Sequence, residues 1–289
     1  MRAYDSRGKE PEFKIVINGI LVISLLVVLF PFLYVLMTSF APREEILTRG
    51  FFLIPHQWTL NAYGYLISSD QFVGSFKNAI TITVFGTIVN MVFTSLMAYG
   101  LSKPWLNGRR VLNFMVLFTM LFNGGIIPTY LVVKDMHLLN SFWALFLTGA
   151  IAPFHLIVLR SFFQNIPIEL EESGRIDGCS ELRLFWQIIL PLSMPAIATF
   201  TLFYAVQNWN SYFNAVLYLN DSAKWPLQVF LRQMMNEGNT SLENMTTEYQ
   251  YSPAVKMAAI VLTALPLLVI YPFLQKYFNK GMLMGSVKG

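Results

Sequence analysis

Charge is scarce in this chain. Only 12% of its 289 residues are Asp, Glu, Lys or Arg and 55% are hydrophobic, whereas a soluble domain carries about 25% charged residues. That balance excludes a water-soluble globule and leaves little chain for a separate soluble domain. Cysteine is almost missing: the lone Cys179 excludes an internal disulfide and a cysteine metal cluster. There is no G-x-x-x-x-G-K-[ST] segment, so no loop of that kind is present to cradle ATP phosphates. No paired carboxylates, metal-ligand cluster or nucleophile–base set stands out, which argues against a membrane enzyme. The net charge of +4 is no nucleic-acid footprint, because the bases sit at the ends of apolar runs.

What is present is apolar length. Charge-free windows run over Ile15–Pro42, Asn78–Ser102, Val111–Val133, Leu138–Leu159, Leu184–Asn220 and Met257–Gln275. About 20 apolar residues cross the hydrocarbon core as a helix, so six spans are expected. Regular alternation of the kind a membrane barrel needs is absent. The first apolar run is too long for a signal-peptide core and lacks a clear cleavage site, so it reads as a retained span. Pro31, Pro128, Pro153, Pro195, Pro266 and Pro272 are expected to bend the helices that carry them. The tail of the fifth window, from Asn208 to Asn220, is expected to leave the bilayer core.

The spans contain no Asp, Glu, Lys or Arg in their cores. Proton-coupled carriers place an ionisable relay at that depth; here only His155 is found, and it reads as a packed polar residue. Sodium coupling through backbone carbonyls stays open. A transporter without its own energy site implies an energised partner, or a channel. Placing the N-terminus in the cytoplasm puts thirteen of the 20 bases inside. Outside fall Arg43, Arg49, Lys77, Lys134, Lys224, Arg232 and Lys256. The positive-inside rule therefore favours both termini in the cytoplasm. It makes 1–14 a cytoplasmic segment, 15–275 the membrane domain, 160–191 a cytoplasmic loop, 221–256 an extracytoplasmic loop and 276–289 a cytoplasmic tail.

The 160–191 loop is a charged island between apolar runs. It fits E-x-x-x-x-x-G, nine residues, then I-x-L-P, through Glu172, Gly178, Ile188, Leu190 and Pro191. Residues 164–191 read as a helix–turn–helix. Asn165 is expected to cap the first helix, with Pro167 in its first turn and Glu169, Glu171 and Glu172 near its positive end. Gly178 supplies the left-handed residue that ends it, and Ser180 caps the second. Ile168, Glu172, Arg175 and Cys179 share a face able to lie in a groove of a soluble partner.

This segment resembles the EAA loop of binding-protein-dependent ABC importer permeases, with Glu172, Asp177, Gly178, Ile188, Leu190 and Pro191 in place. Ser173 and Gly174 stand where the pattern has two alanines. Further matches are NAYGYL at 61–66, the stretch 77–103 and the terminal YFNKGMLMGSVKG, similar to carbohydrate permeases of the maltose-transporter class. The stretch 123–141 resembles a subgroup associated with complex oligosaccharides, uronate-containing ones included. The resemblance implies an all-α integral membrane fold of six transmembrane helices, the type I ABC importer permease (MetI-like) fold. It implies a second permease chain, two ATP-binding cassette subunits that carry the ATP and Mg, an extracytoplasmic binding protein and a bacterial inner membrane. This chain itself would bind no cofactor. Glu172 would contact the ATPase, Gly178 would allow the bend, and Pro191 would begin span five.

Sugars are held by aromatic faces and by amides and hydroxyls. The best-placed groups for a substrate path are Asn208, Trp209, Asn210, Tyr212 and Asn214, then Asn123 and Tyr130, with a belt of interfacial and interhelical contacts as the competing reading. Leu227, Phe230, Leu231 and Met234 mark an amphipathic outer helix, either a contact for the binding protein or a lid on the permease's own spans. A secondary carrier or channel working without an ATPase is the alternative function.

Overall fold

The computed structural model describes residues 10–237 and 252–285, with side chains over 13–237 and 252–270. The N-terminal bases Arg2, Arg7 and Lys9, together with Lys288, lie outside the described residues. The elements are all helical: α1 (Glu10–Ser39), α2 (Arg43–Arg49), α3 (Asn61–Ser68), α4 (Asp70–Ser102), α5 (Arg109–Leu121), α6 (Ile126–Asp135), α7 (Phe142–Thr148), α8 (Pro153–Gln164), α9 (Ile168–Ile176), α10 (Glu181–Leu192), α11 (Met194–Trp209), α12 (Phe213–Tyr218), α13 (Leu227–Glu237) and α14 (Pro253–Gly285).

Three of these helices are long and apolar enough to cross a membrane alone: Phe13–Ser39, Asp70–Ser102 and Pro253–Ile270. The third, fourth and fifth windows, expected to bend at prolines, are broken into helix pairs. Their helix pairs bend by 118° between α5 and α6, 56° between α7 and α8, and 86° between α10 and α11, giving up to 6 crossings if each pair is one span. The causes are local. Gly125, in Asn123-Gly124-Gly125, sits at φ 90, ψ 174, a conformation essentially reserved for glycine. Pro153 and Pro195 each stand in the opening positions of the helix that follows a break, where a missing N–H costs nothing. These prolines, with Pro128 in the first turn of α6, start helices rather than kink them.

The chain forms two compact bodies, Met1–Ser69 with Gln233–Ala264, and Asp70–Arg232 with Leu265–Gly289. In the first, α1 is fully exposed along its most apolar stretch. The segment after it is tied by side chains. Tyr34 stacks on Phe51 at 5.3 Å between centroids, and Ser39 Oγ and Tyr63 OH are 2.6 Å apart. The Glu45 carboxylate accepts the His56 N–H at 2.8 Å and the Gln57 N–H at 3.3 Å and pairs with Arg49. The His56 amide, more than Arg49, holds the Glu45 carboxyl below its ordinary range.

The second body is built on α4, which packs against α7, α8 and α11. A polar seam runs down one face of α4 through Thr87, Asn90 and Thr94, all buried. The Asn90 amide donates to Gly149 O, the carbonyl left free where α7 ends. Asn90 Oδ1 accepts Asn208 Nδ2 at 2.8 Å, and Thr94 Oγ1 lies 2.7 Å from Tyr204 OH. That hydroxyl accepts the Ala152 N–H at 2.9 Å, just ahead of α8. Broken backbone is tolerated at membrane depth only where protein groups take up its polar atoms, and α4 and α11 supply them here. At the far end from Ser102, Asn78 Nδ2 donates to Ala223 O at 2.8 Å and Lys224 Nζ to Asn140 O at 2.7 Å. Leu227, Val229 and Phe230 of α13 are buried, with Phe230 edge-on to Phe72, so this part of α13 is packed as a lid.

Two outcomes follow. The Glu45 contribution has a lowered folded pKa, so it is fully present above the ordinary value of 4.5 and is lost as pH falls through the lower folded one. Amide exchange at His56 and Gln57, corrected for the intrinsic rate, should lose protection only in that acid range, and Glu45→Ala should remove it at neutral pH; unchanged protection in the variant would contradict the clamp. Asn90→Leu orphans Gly149 O and leaves the Asn208 amide only its longer bond to Thr87 Oγ1, and should cost about 1–2 kcal/mol in the thermal melting of the purified protein. A melting point equal to wild type would show that the seam carries no weight.

Candidate functional site

The charged island folds as two short helices, α9 and α10. Pro167, at φ −55, ψ 131, occupies the cap position of α9 and offers no side-chain cap. Asn165, expected in that role, instead ends α8: its N–H donates to Ser161 O and Phe162 O, both at 3.2 Å. The reason is that α8 runs on to Gln164, and the extended backbone required ahead of Ile168 falls at Pro167. The acidic residues Glu169 and Glu171 lie in the first turn of α9, where the helix dipole favours them.

Gly178 turns the chain with φ 79. The Cys179 N–H reaches Gly174 O at 2.9 Å and the Gly178 N–H reaches Arg175 O at 3.0 Å, the paired bonds of a Schellman ending. Ser180 then caps α10, accepting the Arg183 N–H at 3.4 Å. Residues Phe185–Ile189 form a π-helical turn, which widens the helix by one residue. Leu190 and Pro191 continue α10; the chain breaks at Ser193 and resumes at Met194–Pro195. The restart expected at Pro191 therefore lies three residues later.

Gly174 faces α10 closely. A Cβ there would stand 2.5 Å from Leu184 Cδ2 and 2.9 Å from Ile188 Cδ1. The pattern's second alanine position is thus a helix crossing with no room to spare, and Ile188 is the residue it meets. Elsewhere on the loop, Glu172, Ser173, Asp177 and Gly178 are exposed. Glu172 and Asp177 form no ion pair among the described residues. Ile176 is 86% exposed, and Leu182 and Trp186 are exposed as well.

The residues that fix this pair of helices are not legible as a set in the sequence. Lys103, directly after α4, is 3% exposed and forms an ion pair with Glu171, 7% exposed. Lys103 Nζ also stands 4.1 Å from the Tyr99 ring centroid, a cation–π distance. Tyr99 OH donates to Glu181 Oε2 at 2.9 Å. Arg175 joins the two acids, with Nη2 3.0 Å from Glu181 and 3.9 Å from Glu171. The last turn of α4 and the residue that follows it thus hold both loop helices. The spacing Tyr99–Lys103 and Glu171–Arg175, both i to i+4, is the available signal. Beneath, Tyr99, Phe163, Phe185 and Ile189 are buried together. A cleft of about 320 Å³ opens beside the pair, lined by Ser102, Pro104, Arg109, Phe163, Ile166 and Ile168 among others.

The residues expected to line a path divide between packed and exposed positions. Asn208 is committed to Asn90 and, at 3.3 Å, to Thr87 Oγ1, and it presses on Gly86. Trp209 is buried, edge-on to Phe76 at 6.0 Å. Both serve helix packing. Asn210, Tyr212 and Asn214 are exposed; Asn210 Oδ1 accepts Gln228 Nε2 at 3.4 Å. Asn123 is exposed in the break between α5 and α6 and accepts the Gly125 N–H at 2.9 Å. Tyr130 stacks on Tyr218 at 6.3 Å.

The family described as binding-protein-dependent transport system inner membrane component matches residues 12–284. The polygalacturonan/rhamnogalacturonan transport system permease protein YtcP of Bacillus subtilis (strain 168) is 52% identical over 285 residues, 97% of this chain and 100% of that protein. Protein LplC of the same strain is 53% identical over 266 residues, covering 91% of this chain and 90% of its own length. Among solved structures, a chain of a bacterial ABC transporter involved in the import of the acidic polysaccharide alginate superposes with a TM-score of 0.88 at 35% identity, over 96% of this chain and 100% of that one. The all-helical architecture, the broken apolar spans and the match along nearly the whole length agree: the chain belongs to the binding-protein-dependent transport system inner membrane components, the permeases of ABC importers.

Proposed function

We propose that this chain is one of two permease subunits of an ATP-driven importer of acidic oligosaccharides, powered by two partner ATPases docked on the 160–191 loop. The observation that carries the docking is the outward face of α9 and α10. A charged loop that leaves Ile176, Leu182 and Trp186 open beside the exposed carboxylates of Glu172 and Asp177 has the make-up of a contact rather than of a solvated turn. The partner would offer an apolar cleft with a basic group for Glu172. ATP and Mg belong to those partners. The loop and both termini lie in the cytoplasm of a bacterial cell, and the outer end, with Asn140 and 219–225, faces the binding protein.

The acidic substrate class rests on two relatives, whose names give polygalacturonan/rhamnogalacturonan and alginate. Polyuronates are polyanions, and a path free of carboxylates in its spans suits them. Of the residues expected to line a path, Asn123, Asn210, Tyr212 and Asn214 are exposed and have the chemistry to meet a sugar. The fully exposed α1 would be covered by lipid or by the second permease.

The reading is tested in a complex co-expressed with its second permease, ATPases and binding protein. Glu172→Lys should leave insertion intact and abolish uptake. Gly174→Leu should separate α9 from α10 and release the ATPases, seen as loss of co-purification; Gly174→Ala should be milder, since Leu184 and Ile188 end in flexible methyl groups. ATP-driven uptake at the wild-type rate in Glu172→Lys and Gly174→Leu would sink the docking assignment. For the path, Tyr212→Ala should slow uptake of a labelled oligogalacturonide while basal hydrolysis persists. Faster uptake of a neutral oligosaccharide than of the acidic one by the wild-type complex would refute the substrate class.

A further inference from the structure

We infer that the buried Lys103–Glu171 pair is a strut that makes the loop helices and α4 a single moving body, so that ATPase motion enters the bundle through α4. The inference rests on the reading that ATPases dock on this loop. It assigns Lys103 and Glu171, with Tyr99, as positioning residues for energy coupling.

Besides the chain link back through 165–167 to α8, which is extended at Pro167, two routes lead from the loop into the bundle. One follows the chain from α10 into α11. It passes a π-helical turn at Phe185–Ile189 and an 86° break at Ser193, and a broken helix transmits force poorly along its axis. The other crosses space to α4. There Lys103 holds Glu171 on α9, and Tyr99, one turn earlier, holds Glu181 on α10. Both loop helices are gripped at the end of an unbroken helix of 33 residues, by its last turn and the residue that follows it. That helix carries the seam of Thr87, Asn90 and Thr94, which binds α11 and the break between α7 and α8.

Packing alone does not make this joint. A cleft of about 320 Å³ opens between the end of α4 and the start of α9, with Lys103 and Glu171 both on its wall. Apolar contact is incomplete there, so the ion pair is what closes the gap. Its burial sets it apart from the neighbouring Arg175–Glu181 pair, whose side chains are 38% and 43% exposed. An exposed pair is screened and compliant. A buried one is directional, and breaking it by removing one partner leaves an uncompensated charge. Arg175 links the two acids and keeps α9 and α10 in register, while Gly174 keeps them in contact. The loop is a preformed block, tied to α4 by this buried pair and seated on the apolar cluster of Tyr99, Phe163, Phe185 and Ile189.

The test uses the complete importer reconstituted in vesicles, with ATP hydrolysis and sugar uptake measured together. Glu171→Gln and Lys103→Met should keep the ATPases bound and hydrolysing. Hydrolysis should no longer respond to the loaded binding protein, and sugar moved per ATP should fall roughly tenfold, within the range of ordinary coupling free energies. The swap Lys103→Glu with Glu171→Lys should recover part of that ratio. A purely structural role would lower assembly and leave the ratio of surviving complexes unchanged, and would overturn the strut. A double-cysteine variant covers the case in which these fail to assemble: Lys103→Cys with Glu171→Cys, joined by a short cross-linker in a Cys179→Ser background. If the two residues move as one body, the cross-linked importer keeps its coupled uptake; loss of uptake on cross-linking, with recovery on cleavage of the linker, would overturn the inference while leaving the ATPase reading standing. Absence of any ATPase from the wild-type complex would overturn both.

Discussion

A polar group in hydrocarbon has to find its partner inside the protein, and the arrangement of this permease follows from that. A chain with so little charge folds into apolar helices, yet three helix pairs among the described residues are sharply bent at short breaks. A break frees backbone polar atoms that other groups must take up. The 148–153 break is served by side chains of α4 and α11: Asn90 for Gly149 O and Tyr204 for the Ala152 N–H. Asn208 completes the set by donating back to Asn90. Removing one amide would strand several groups at once, which makes the seam a cooperative unit rather than a row of separate bonds.

The same constraint governs the charged loop at the end of α4. A lysine immediately beyond an apolar helix is costly to bury unless matched, and Glu171 matches it. The result is an anchor with direction, set between an apolar cluster of Tyr99, Phe163 and Phe185 and the open cleft beside α9. The outward face of the loop carries exposed Glu172, Asp177 and Ile176. One face of a nine-residue helix is thus committed to the bundle and the other is available to a partner. This division explains why a glycine stands at 174: the helix must come close enough to α10 for both faces to be presented at once.

Much of this is legible in the sequence. Charge scarcity and the apolar windows point to the membrane class, and the spacing of Glu172, Gly178, Ile188 and Pro191 locates the loop. Gly178 and Ser180 carry the conformations their residue types favour. What the sequence hides are facts that depend on pairing between distant segments. Asn208 and Trp209 have the composition of a sugar site, and composition does not say that Asn90 and Phe76 lie opposite. Pro128, Pro153 and Pro195 suggest kinks because a proline in an apolar run looks alike whether it bends a helix or begins one. Glu171 is visible only for its place near a helix end, since nothing local reveals that Lys103, 68 residues away, points at it. The i to i+4 pairs Tyr99–Lys103 and Tyr204–Asn208 are visible as faces without partners.

The central claim is that α4 and the loop helices form one body that carries motion from the loop to the polar seam. It is tested most directly by a distance. Spin labels at Met97→Cys on α4 and Arg183→Cys on α10, both outward-facing positions, would be placed in the assembled importer with Cys179→Ser. Their separation would be measured by pulsed electron resonance without nucleotide and with ATP trapped. The account predicts the same distance distribution in both states, even as labels across the two permease chains move apart or together. A shift between α4 and α10 on ATP binding would contradict it.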